Sequence, residues 1–353
     1  MSLSGIPELE KHAKYFVPTL PKTPTGRFAS IILLRETKSY AIFTTEGGEQ
    51  QDVEQTQAGL SNRERIDRLV MFKRKQVAPE RRTGKALLRQ YGVLPYAIVT
   101  EGSREPRIVY GAADIASVQE EVKNRQGSKV DAYEDCYLLA GMCAHCVDCL
   151  IYGYAAVERQ GARKARVHTD SGFSVRPYPL VTEKKKFNYI DEQTHTSGTI
   201  TEFDHTKPHT FFPSVVTTVD LTLDEFVYVL NNLVRTSRYG KEVAHLGLMG
   251  NHVLVIALSD VELFSNLEFS QAFYDAFKTA NVRMEAGLSL QDFLAHEQQV
   301  IGSLIANLNG RCTLIRENEL KTMLEQVRTL NQDENRLTTF LRGLNHQAAS
   351  FTV

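Results

Sequence analysis

Four cysteines lie within fourteen residues of the chain, at Cys136, Cys143, Cys146 and Cys149. The last three follow one another at intervals of three residues, which would spread them over about 9 Å along a regular helix. Zinc–sulfur bonds are only about 2.3 Å long, so the segment must fold as a knuckle or turn to bring its sulfurs together. Four thiolates complete a tetrahedron, which is typical of a structural zinc site and not of a catalytic one.

Three alternatives to this ligand set remain open at this level. His145 could replace Cys136 as the fourth ligand. An iron–sulfur cluster also uses C-x2-C-x2-C spacing, although its fourth cysteine would here lie upstream and no C-x3-C-P follows. Ordinary reduced, buried cysteines are the third interpretation. The fifth cysteine, Cys312, stands alone and is expected to be a core residue.

A second chemical feature is the concentration of positive charge in residues 61–91. This stretch has ten Lys and Arg against three acidic residues, a local charge of +7, whereas the whole chain is at −1. The residues outside this stretch therefore carry a net charge of −8. Such asymmetry in a nearly neutral protein favours a site for a polyanion over a merely solvated basic face.

The second half of this stretch has the pattern of a helix that starts at Pro79 and ends at Gly92. Its apolar positions recur at helical period on one face. The opposite side is predicted to align four basic side chains along roughly 12 Å, at 1.5 Å rise per residue. These are Arg81, Arg82, Lys85 and Arg89, preceded by the triplet Lys73, Arg74 and Lys75.

Acidic residues follow the second predicted strand, at Glu46, Glu49 and Asp52. They could hold a divalent ion, but a solvated loop is the favoured interpretation. The sequence contains neither a G-x-x-x-x-G-K-[ST] loop nor a G-x-S-x-G elbow, and no motif requires an enzyme.

The composition is that of an ordinary soluble domain, with 42% apolar and 24% charged residues in 353. No signal peptide or membrane span is predicted, and the crowding of the cysteines indicates a reducing cytoplasm.

Strands are predicted at 27–36, 39–45 (the first two as a hairpin), 96–99, 107–110, 150–157, 165–175, 211–217 and 251–259. Helices are predicted at 79–92, 114–125, 223–234, 265–280, 289–308, 317–330 and 335–344. Residues 181–209, with few apolar side chains, are predicted to form a long exposed β-hairpin.

Several blocks of the sequence together resemble one protein family. They are RLVMFKRKQVAPER (68–81) with KALLRQYG (85–92), HTKPHTFFPSVVT (205–217), NNLVRTSRYG (231–240) and SNLEFSQAFYD (265–275). These resemble the Csc-two family, the Cas-seven-type backbone subunit of type I-D CRISPR surveillance complexes. The resemblance runs from about residue 15 to residue 344.

The resemblance implies an α+β fold with an RNA-recognition-motif-like (ferredoxin-like) antiparallel sheet core spanning the whole chain, 1–353, and carrying large insertions. Those insertions would be a cysteine-rich, zinc-binding segment at 111–149 and a projecting thumb hairpin at 181–209, with a helical C-terminal region at 289–353. It also implies that copies of the protein stack along a guide RNA, together with other effector subunits and, through the guide, a target DNA strand.

The family's RNA-facing positions match six basic residues in two of the blocks. They are Lys73, Arg74, Lys75, Arg81, Arg235 and Arg238. Arg82, Lys85 and Arg89 are added as RNA-binding candidates only because they lie on the basic side of the predicted helix. No R-G-F-G-F-V-like strand is present, so the contacts are expected to be with phosphates and independent of base sequence.

Three functions follow as hypotheses. The first is a non-enzymatic, cytoplasmic backbone subunit that binds guide RNA and a structural zinc. The second is a metal-dependent nuclease that cuts the target strand at regular intervals, with Glu46, Glu49 and Asp52 as the candidate residues. The third is a free-standing RNA chaperone or regulator.

Overall fold

The fold is known from a computed structural model, which describes residues 2–45, 50–101, 107–110, 113–123, 128–132, 136–137, 141–155, 162–190, 197–241 and 243–352. The helices are α1 (Pro7–Glu10), α2 (Lys73–Gln90), α3 (Ala113–Val122), α4 (Val147–Tyr152), α5 (Tyr178–Val181), α6 (Leu223–Arg235), α7 (Asn266–Thr279), α8 (Leu290–Ala306), α9 (Glu317–Gln332) and α10 (Glu334–Thr352). Short 3-10 turns occur at Ala13–Tyr15 and Met284–Ala286. Within the described ranges, no helix is both long enough and apolar enough to span a bilayer.

Among the described residues the strands form five antiparallel sheets, which makes the protein a mixed α+β structure as predicted. They are β1 (Phe28–Thr37), β2 (Val53–Gln57), β3 (Arg65–Met71), β4 (Ala97–Glu101), β5 (Arg107–Val109), β6 (Ser128–Ala132), β7 (Tyr154–Ala155), β8 (Ala162–Arg163), β9 (Val167–Thr169), β10 (Gly172–Phe173), β11 (Thr182–Ile190), β12 (Ser197–Thr206), β13 (Phe211–Val219), β14 (Met249–Ser259) and β15 (Cys312–Ile315). The largest sheet has the order β15-β14-β1-β13-β9. The four smaller sheets have the orders β10-β3-β2, β11-β12, β5-β4-β6 and β7-β8.

The central strand β1 is apolar on both of its faces, and both faces are covered. Ile31 and Leu33 belong to the core that contains α2, α6, α9 and α10. Ile32 and Leu34 belong to the core formed with α7 and α8. Because successive strand residues point to opposite faces, this unbroken apolar run is what a sheet covered on both sides requires.

Helix α2 is joined to the central sheet by a buried ion pair. Arg35 of β1 and Glu80 of α2 are 2.7 Å apart, and their side chains are 0% and 1% exposed. Tyr239 donates to the same carboxylate at 3.2 Å, and Asn251 donates to the Tyr239 hydroxyl at 2.8 Å. The Tyr239 hydroxyl and the Asn251 amide oxygen also accept from Arg35 Nη1 at 3.1 Å, whereas its Nε and Nη2 have no hydrogen-bond partner among the described residues.

Four element predictions are wrong. The strand predicted at 165–175 is two short strands in different sheets, β9 and β10. Helix α2 starts at Lys73 and contains Pro79 in its interior, because Gln76 anchors an earlier first turn by donating to the carbonyls of Met71 and Asp170. Residues 39–45 are not a strand paired with β1, whose two neighbours are β13 and β14. Residues 150–157 begin as the end of α4 and not as a strand, since the short apolar run there continues a helix capped at Cys146.

The predicted hairpin at 181–209 contains two antiparallel strands, β11 and β12, with Thr182 opposite Thr206 and Ile190 opposite Ser197. Its base is buried, since Val181, His205 and Thr206 are 0%, 2% and 0% exposed. The C-terminal region predicted as helical at 289–353 contains α8, α9 and α10, and also the edge strand β15.

Gly84 marks a close approach of α2 to α6. A Cβ at this position would lie 2.5 Å from the Tyr228 hydroxyl and closer still to the Asn232 amide. We expect Gly84→Ala to lower the free energy of unfolding by about 1–3 kcal/mol, because the overpacked helices must separate. Urea unfolding of the variant and the wild type would measure this difference in the free energy of unfolding.

Gly302 of α8 is the matched control, since a Cβ there meets no atom within 4 Å. Gly302→Ala is expected to stabilise the protein by about 0.5–1 kcal/mol through helix propensity alone. Equal effects of the two substitutions would show that α2 and α6 are not in tight contact at Gly84.

Candidate metal centre and nucleic-acid interface

The four clustered cysteines meet in one buried group. Their sulfurs all lie within 4.8 Å of one another, and each residue is 0% exposed. The Cys136 sulfur is 3.3 Å from that of Cys149 and 3.9 Å from that of Cys146, and Cys143 and Cys149 are 4.0 Å apart. A tetrahedron with bonds of about 2.3 Å has sulfur–sulfur edges of about 3.8 Å. The group could therefore hold a metal ion, and a zinc-sized tetrahedron fits its dimensions.

The backbone around the cysteines has the predicted knuckle form. Ala144 has φ of 62° and Gly141 of 106°, so the chain turns sharply on either side of Cys143. Each later cysteine donates its amide to the sulfur of the preceding one at 3.3–3.4 Å. Cys146 is also the N-cap of α4, which places Cys149 in the first turn of that helix. In the described part of the chain, the metal-competent group consists of the four cysteines and does not include His145.

The surroundings of Cys136 favour its thiolate form. Hydrogen bonds from the thiols of Cys143, Cys146 and Cys149 lower the pKa of Cys136, and the nearby ammonium of Lys85 lowers it further. The same mutual hydrogen bonds, together with burial, raise the pKa values of Cys146 and Cys149, so without an ion Cys136 is the cysteine whose thiolate is favoured.

Two residues of the predicted basic stripe face this centre and not the solvent. Lys85 is 7% exposed and donates to the Cys136 carbonyl at 2.6 Å. Arg81 donates to the Asp148 carboxylate at 2.7 Å, and Asp148 is fully buried. The expectation that Arg81 and Lys85 line one basic stripe with Arg82 and Arg89 is therefore wrong. Replacing Arg81 by alanine would remove one of the two cations that face the buried Asp148 carboxylate and should destabilise the fold.

Burial disfavours the charges of Arg81 and Lys85, but Asp148 and the cysteine thiolates outweigh it. As a result the pKa values of both side chains are raised above their usual values. Burial raises the pKa of Asp148 even though both cations oppose that shift. Together these residues form a buried charged group next to the cysteines.

The other basic residues of α2 are on the surface. Lys73, Arg74, Arg82 and Arg89 are exposed and Lys75 is half-buried. The Arg74 guanidinium donates to the Thr45 carbonyl at 2.6 Å, which links the start of the helix to the segment that follows β1. These five residues are therefore accessible to solvent, and their contact with RNA stays a prediction.

Lys241 joins this surface from the segment after α6, and the sequence analysis did not single it out. Burial and the charge of Arg74 lower the pKa of Lys75, Asp52 opposes this shift, and Lys241 and Arg82 lower the pKa further. Arg74, Lys241 and Arg82 are thus each close enough to Lys75 to repel its charge. We call the surface formed by Lys73, Arg74, Lys75, Arg82 and Lys241 the α2 basic surface. A cluster of five cations with one neighbouring anion, Asp52, among the described residues keeps a net positive charge, which is the electrostatic footprint of a polyanion site.

Arg235 and Arg238 lie next to the α2 basic surface. Both are exposed, and they belong to the end of α6 and the segment that follows it. That segment is fixed to α2 by a hydrogen bond of 2.8 Å between the hydroxyls of Thr236 and Thr83. The structure therefore places the segment after α6 against α2, although Thr83 and Thr236 are 153 residues apart in the sequence.

The base of the hairpin borders the same surface. The Lys241 ammonium lies 5.1 Å from the centre of the Phe203 ring of β12. On the other side of α2, a groove of about 750 Å³ is lined by Lys73 and Arg74 together with residues of β9 and the start of α7. The basic end of α2 is therefore flanked by a hairpin and a groove.

The acidic loop is only partly described. Glu46 and Glu49 lie outside the described residues. Asp52 accepts a hydrogen bond from the Thr45 hydroxyl at 3.0 Å. In the ranges that are described, the cysteine cluster is the group of His, Cys, Asp and Glu that could hold an ion.

The family model described as Csc2 Crispr matches residues 15–341, most of the 353-residue chain. The chain belongs to the Csc2 family. The Csc-two family predicted from the sequence blocks is thereby confirmed, and the subtype stays a prediction. No curated protein matches the chain.

The chain also has the Csc2 fold. It is similar to the crystal structure of Csc2 from Thermofilum pendens, with 16% identity and a TM-score of 0.50 over 92% of this chain and 98% of that one. Lower similarity is found to a chain of a CRISPR RNA-guided surveillance complex, at 11% identity and TM-score 0.45 over 86% and 99% of the two chains. A chain of such a complex in a pre-nicking state has 12% identity and TM-score 0.44 over 81% and 90%.

Proposed function

We propose that this Csc2 family member is a non-enzymatic backbone subunit of a type I-D CRISPR surveillance complex. Copies of the chain oligomerise along a guide RNA, hold it through its phosphates and leave its bases free to pair with a target DNA strand. The observation that carries this proposal is the α2 basic surface, a cluster of solvent-accessible cations beside the segment that contains Arg238 and follows Arg235.

The topology supports an RNA-recognition-motif-like core. The succession β1, α2, β9, β13, α6, β14 is strand–helix–strand–strand–helix–strand, and these strands lie in the order β14-β1-β13-β9. This is the arrangement of a split βαβ fold, with β15 added at one edge. The remaining elements are then insertions and extensions of that core.

Coverage of the sheet supports phosphate contacts rather than base stacking. An ordinary RNA-recognition motif stacks bases on aromatic residues of its exposed sheet face. Here the face opposite α2 and α6 is covered by α7 and α8, whose Phe273, Phe277 and Phe293 rings pack 4.9–5.8 Å apart. RNA must therefore lie elsewhere, and cations that contact only phosphates do not discriminate between sequences.

A structural zinc ion is the metal that we propose for the cysteine centre. Cys136, Cys143, Cys146 and Cys149 would hold it, and when bound it would cross-link the 136–149 segment. Four thiolates leave no open coordination position, so the centre supplies stability and no catalytic step.

The proposal is tested by purifying the protein from its native host and sequencing the RNA that accompanies it. Repeat-derived RNAs of fixed length would support the guide-bearing subunit. Heterogeneous RNAs without repeat sequences would instead support a free-standing RNA chaperone. Regular cleavage of the target strand that requires Glu46, Glu49 and Asp52 would show that the subunit is a nuclease.

The hairpin provides a test of assembly. Lys186 of β11 pairs with Glu202 of β12, so residues 187–201 can be replaced by Asn-Gly, a two-residue turn that preserves the register. We expect the monomer to unfold at an unchanged temperature, because the buried base of the hairpin is kept. Regular assembly on long RNA should be lost, which electron microscopy would show.

A short RNA that accommodates one copy serves as the control for the hairpin variant. Its binding should be unchanged, since the α2 basic surface is intact. Regular filaments formed by the shortened protein on long RNA would contradict the role of the hairpin between neighbouring copies.

A further inference from the structure

The cysteine centre lies in a buried environment with an excess of negative charge. Four thiolates and one divalent cation carry a net charge of −2, and Asp148 adds another negative charge. All four cysteines and Asp148 are 0% exposed. Uncompensated charge of this size would be very costly to bury, so nearby cations must offset it.

Two cations from α2 supply that compensation. The Lys85 ammonium is 3.3 Å from the Cys136 sulfur and 3.5 Å from the Asp148 carboxylate. The Arg81 guanidinium is 2.7 Å from the same carboxylate oxygen. Because Arg81 and Lys85 are four residues apart, they lie on one face of α2. Asp148 lies between two cysteines in the sequence and contacts both cations.

The cations of the α2 basic surface face the solvent and not the cysteine centre. Lys73, Arg74 and Arg82 are exposed, whereas the side chains of Lys85 and Arg81 are 8% and 23% exposed. One helix thus presents basic residues to solvent on one side and to the cysteine centre on the other. Charge alone did not distinguish these two sets in the sequence.

We propose that Lys85, Asp148 and Arg81 form an outer shell of the metal centre, which neutralises its thiolates and fixes α2 in the position that presents the α2 basic surface. This inference rests on the proposed zinc. Lys85 acts directly on a ligand sulfur, and Asp148 holds Lys85 and Arg81 together. Outer-shell partners of this kind typically contribute 10–100-fold to metal affinity.

Two variants test the shell without depending on RNA. Lys85→Met keeps the apolar stem and removes the charge, and Lys85→Gln also keeps a donor for the Cys136 carbonyl. Zinc affinity, measured by competition with a chromophoric chelator, should fall about 10–100-fold in both. Lys85→Arg should retain more affinity than either, because it restores the charge. Circular dichroism identifies which variants are folded, and Lys85→Gln remains informative if Lys85→Met does not fold.

Arg82→Met is the matched variant on the same helix. It should keep wild-type zinc affinity but make the salt dependence of RNA binding shallower by about 0.7, the loss of one phosphate contact. Lys85→Met at saturating zinc should show the opposite pattern, with reduced zinc affinity and an unchanged salt slope.

Three outcomes would overturn the proposal in distinguishable ways. Folded Lys85 variants that bind zinc as tightly as the wild type would refute the outer shell while leaving the metal site intact. A salt slope reduced by about 0.7 in Lys85→Met would show that Lys85 contacts a phosphate. A wild-type chain that binds no zinc would overturn the metal assignment, and the outer shell with it.

Discussion

Replacing Lys73, Arg74 and Lys75 together by alanine is expected to weaken binding of single-stranded RNA about fifty-fold at 0.15 M salt, if each cation neutralises one phosphate. Each lost contact removes about 0.7 from the slope of log affinity against log salt, so the slope should become shallower by about 2. The loss should be the same for RNAs of different sequence, because phosphate contacts do not read bases. Fluorescence anisotropy over a salt series would measure both quantities.

A charge-matched control excludes a general effect of net charge. Lys278, Lys321 and Arg328 are exposed on α7 and α9, so their triple alanine variant also loses three positive charges. It should bind RNA within about two-fold of the wild type and keep its salt slope. If the two triple variants behave alike, the α2 basic surface is only a solvated face and the RNA assignment fails even though the family is correct.

Local patterns were enough to predict most of the scaffold. The apolar run of β1 and the acidic first turn of α6 are encoded within a few residues, and Thr222 with Glu225 forms a capping box that fixes where α6 begins. The cysteine spacing excluded a regular helix on simple geometric grounds, and the knuckle at Ala144 confirms that conclusion. Each of these features depends on neighbouring residues alone.

The division of the basic residues could not be predicted in this way. Arg81 and Arg82 are identical in type and adjacent in sequence, yet one is paired with buried Asp148 and the other is exposed. The deciding partner lies 67 residues further along the chain. Arg68, another member of the basic stretch, is fully buried and donates to the Val175 carbonyl at 2.7 Å. Tertiary contacts therefore determine which of these charges reach the solvent.

The cysteine centre gives the second large expected effect. Cys146→Ser removes one of four ligands and also the N-cap sulfur of α4, so the variant should purify with far less than the one zinc per chain that we expect for the wild type. Metal that binds only the folded state stabilises it by about 4 kcal/mol at a free concentration one thousand times its dissociation constant. A loss of several kcal/mol in the free energy of unfolding is therefore expected, measurable by urea titration with and without a chelator.

Cys312→Ser separates loss of the metal from loss of a thiol. Cys312 is half-buried in β15, outside the cluster, and its substitution should leave the zinc content unchanged and stability within about 1 kcal/mol of the wild type. The wild-type protein should also be colourless, because zinc has a filled d shell and gives no visible charge-transfer band. A brown protein that contains iron would show that the centre is an iron–sulfur cluster and not a zinc site. Wild-type stability in a metal-free Cys146→Ser protein would instead show that the cysteines are ordinary core residues, packed without need of an ion.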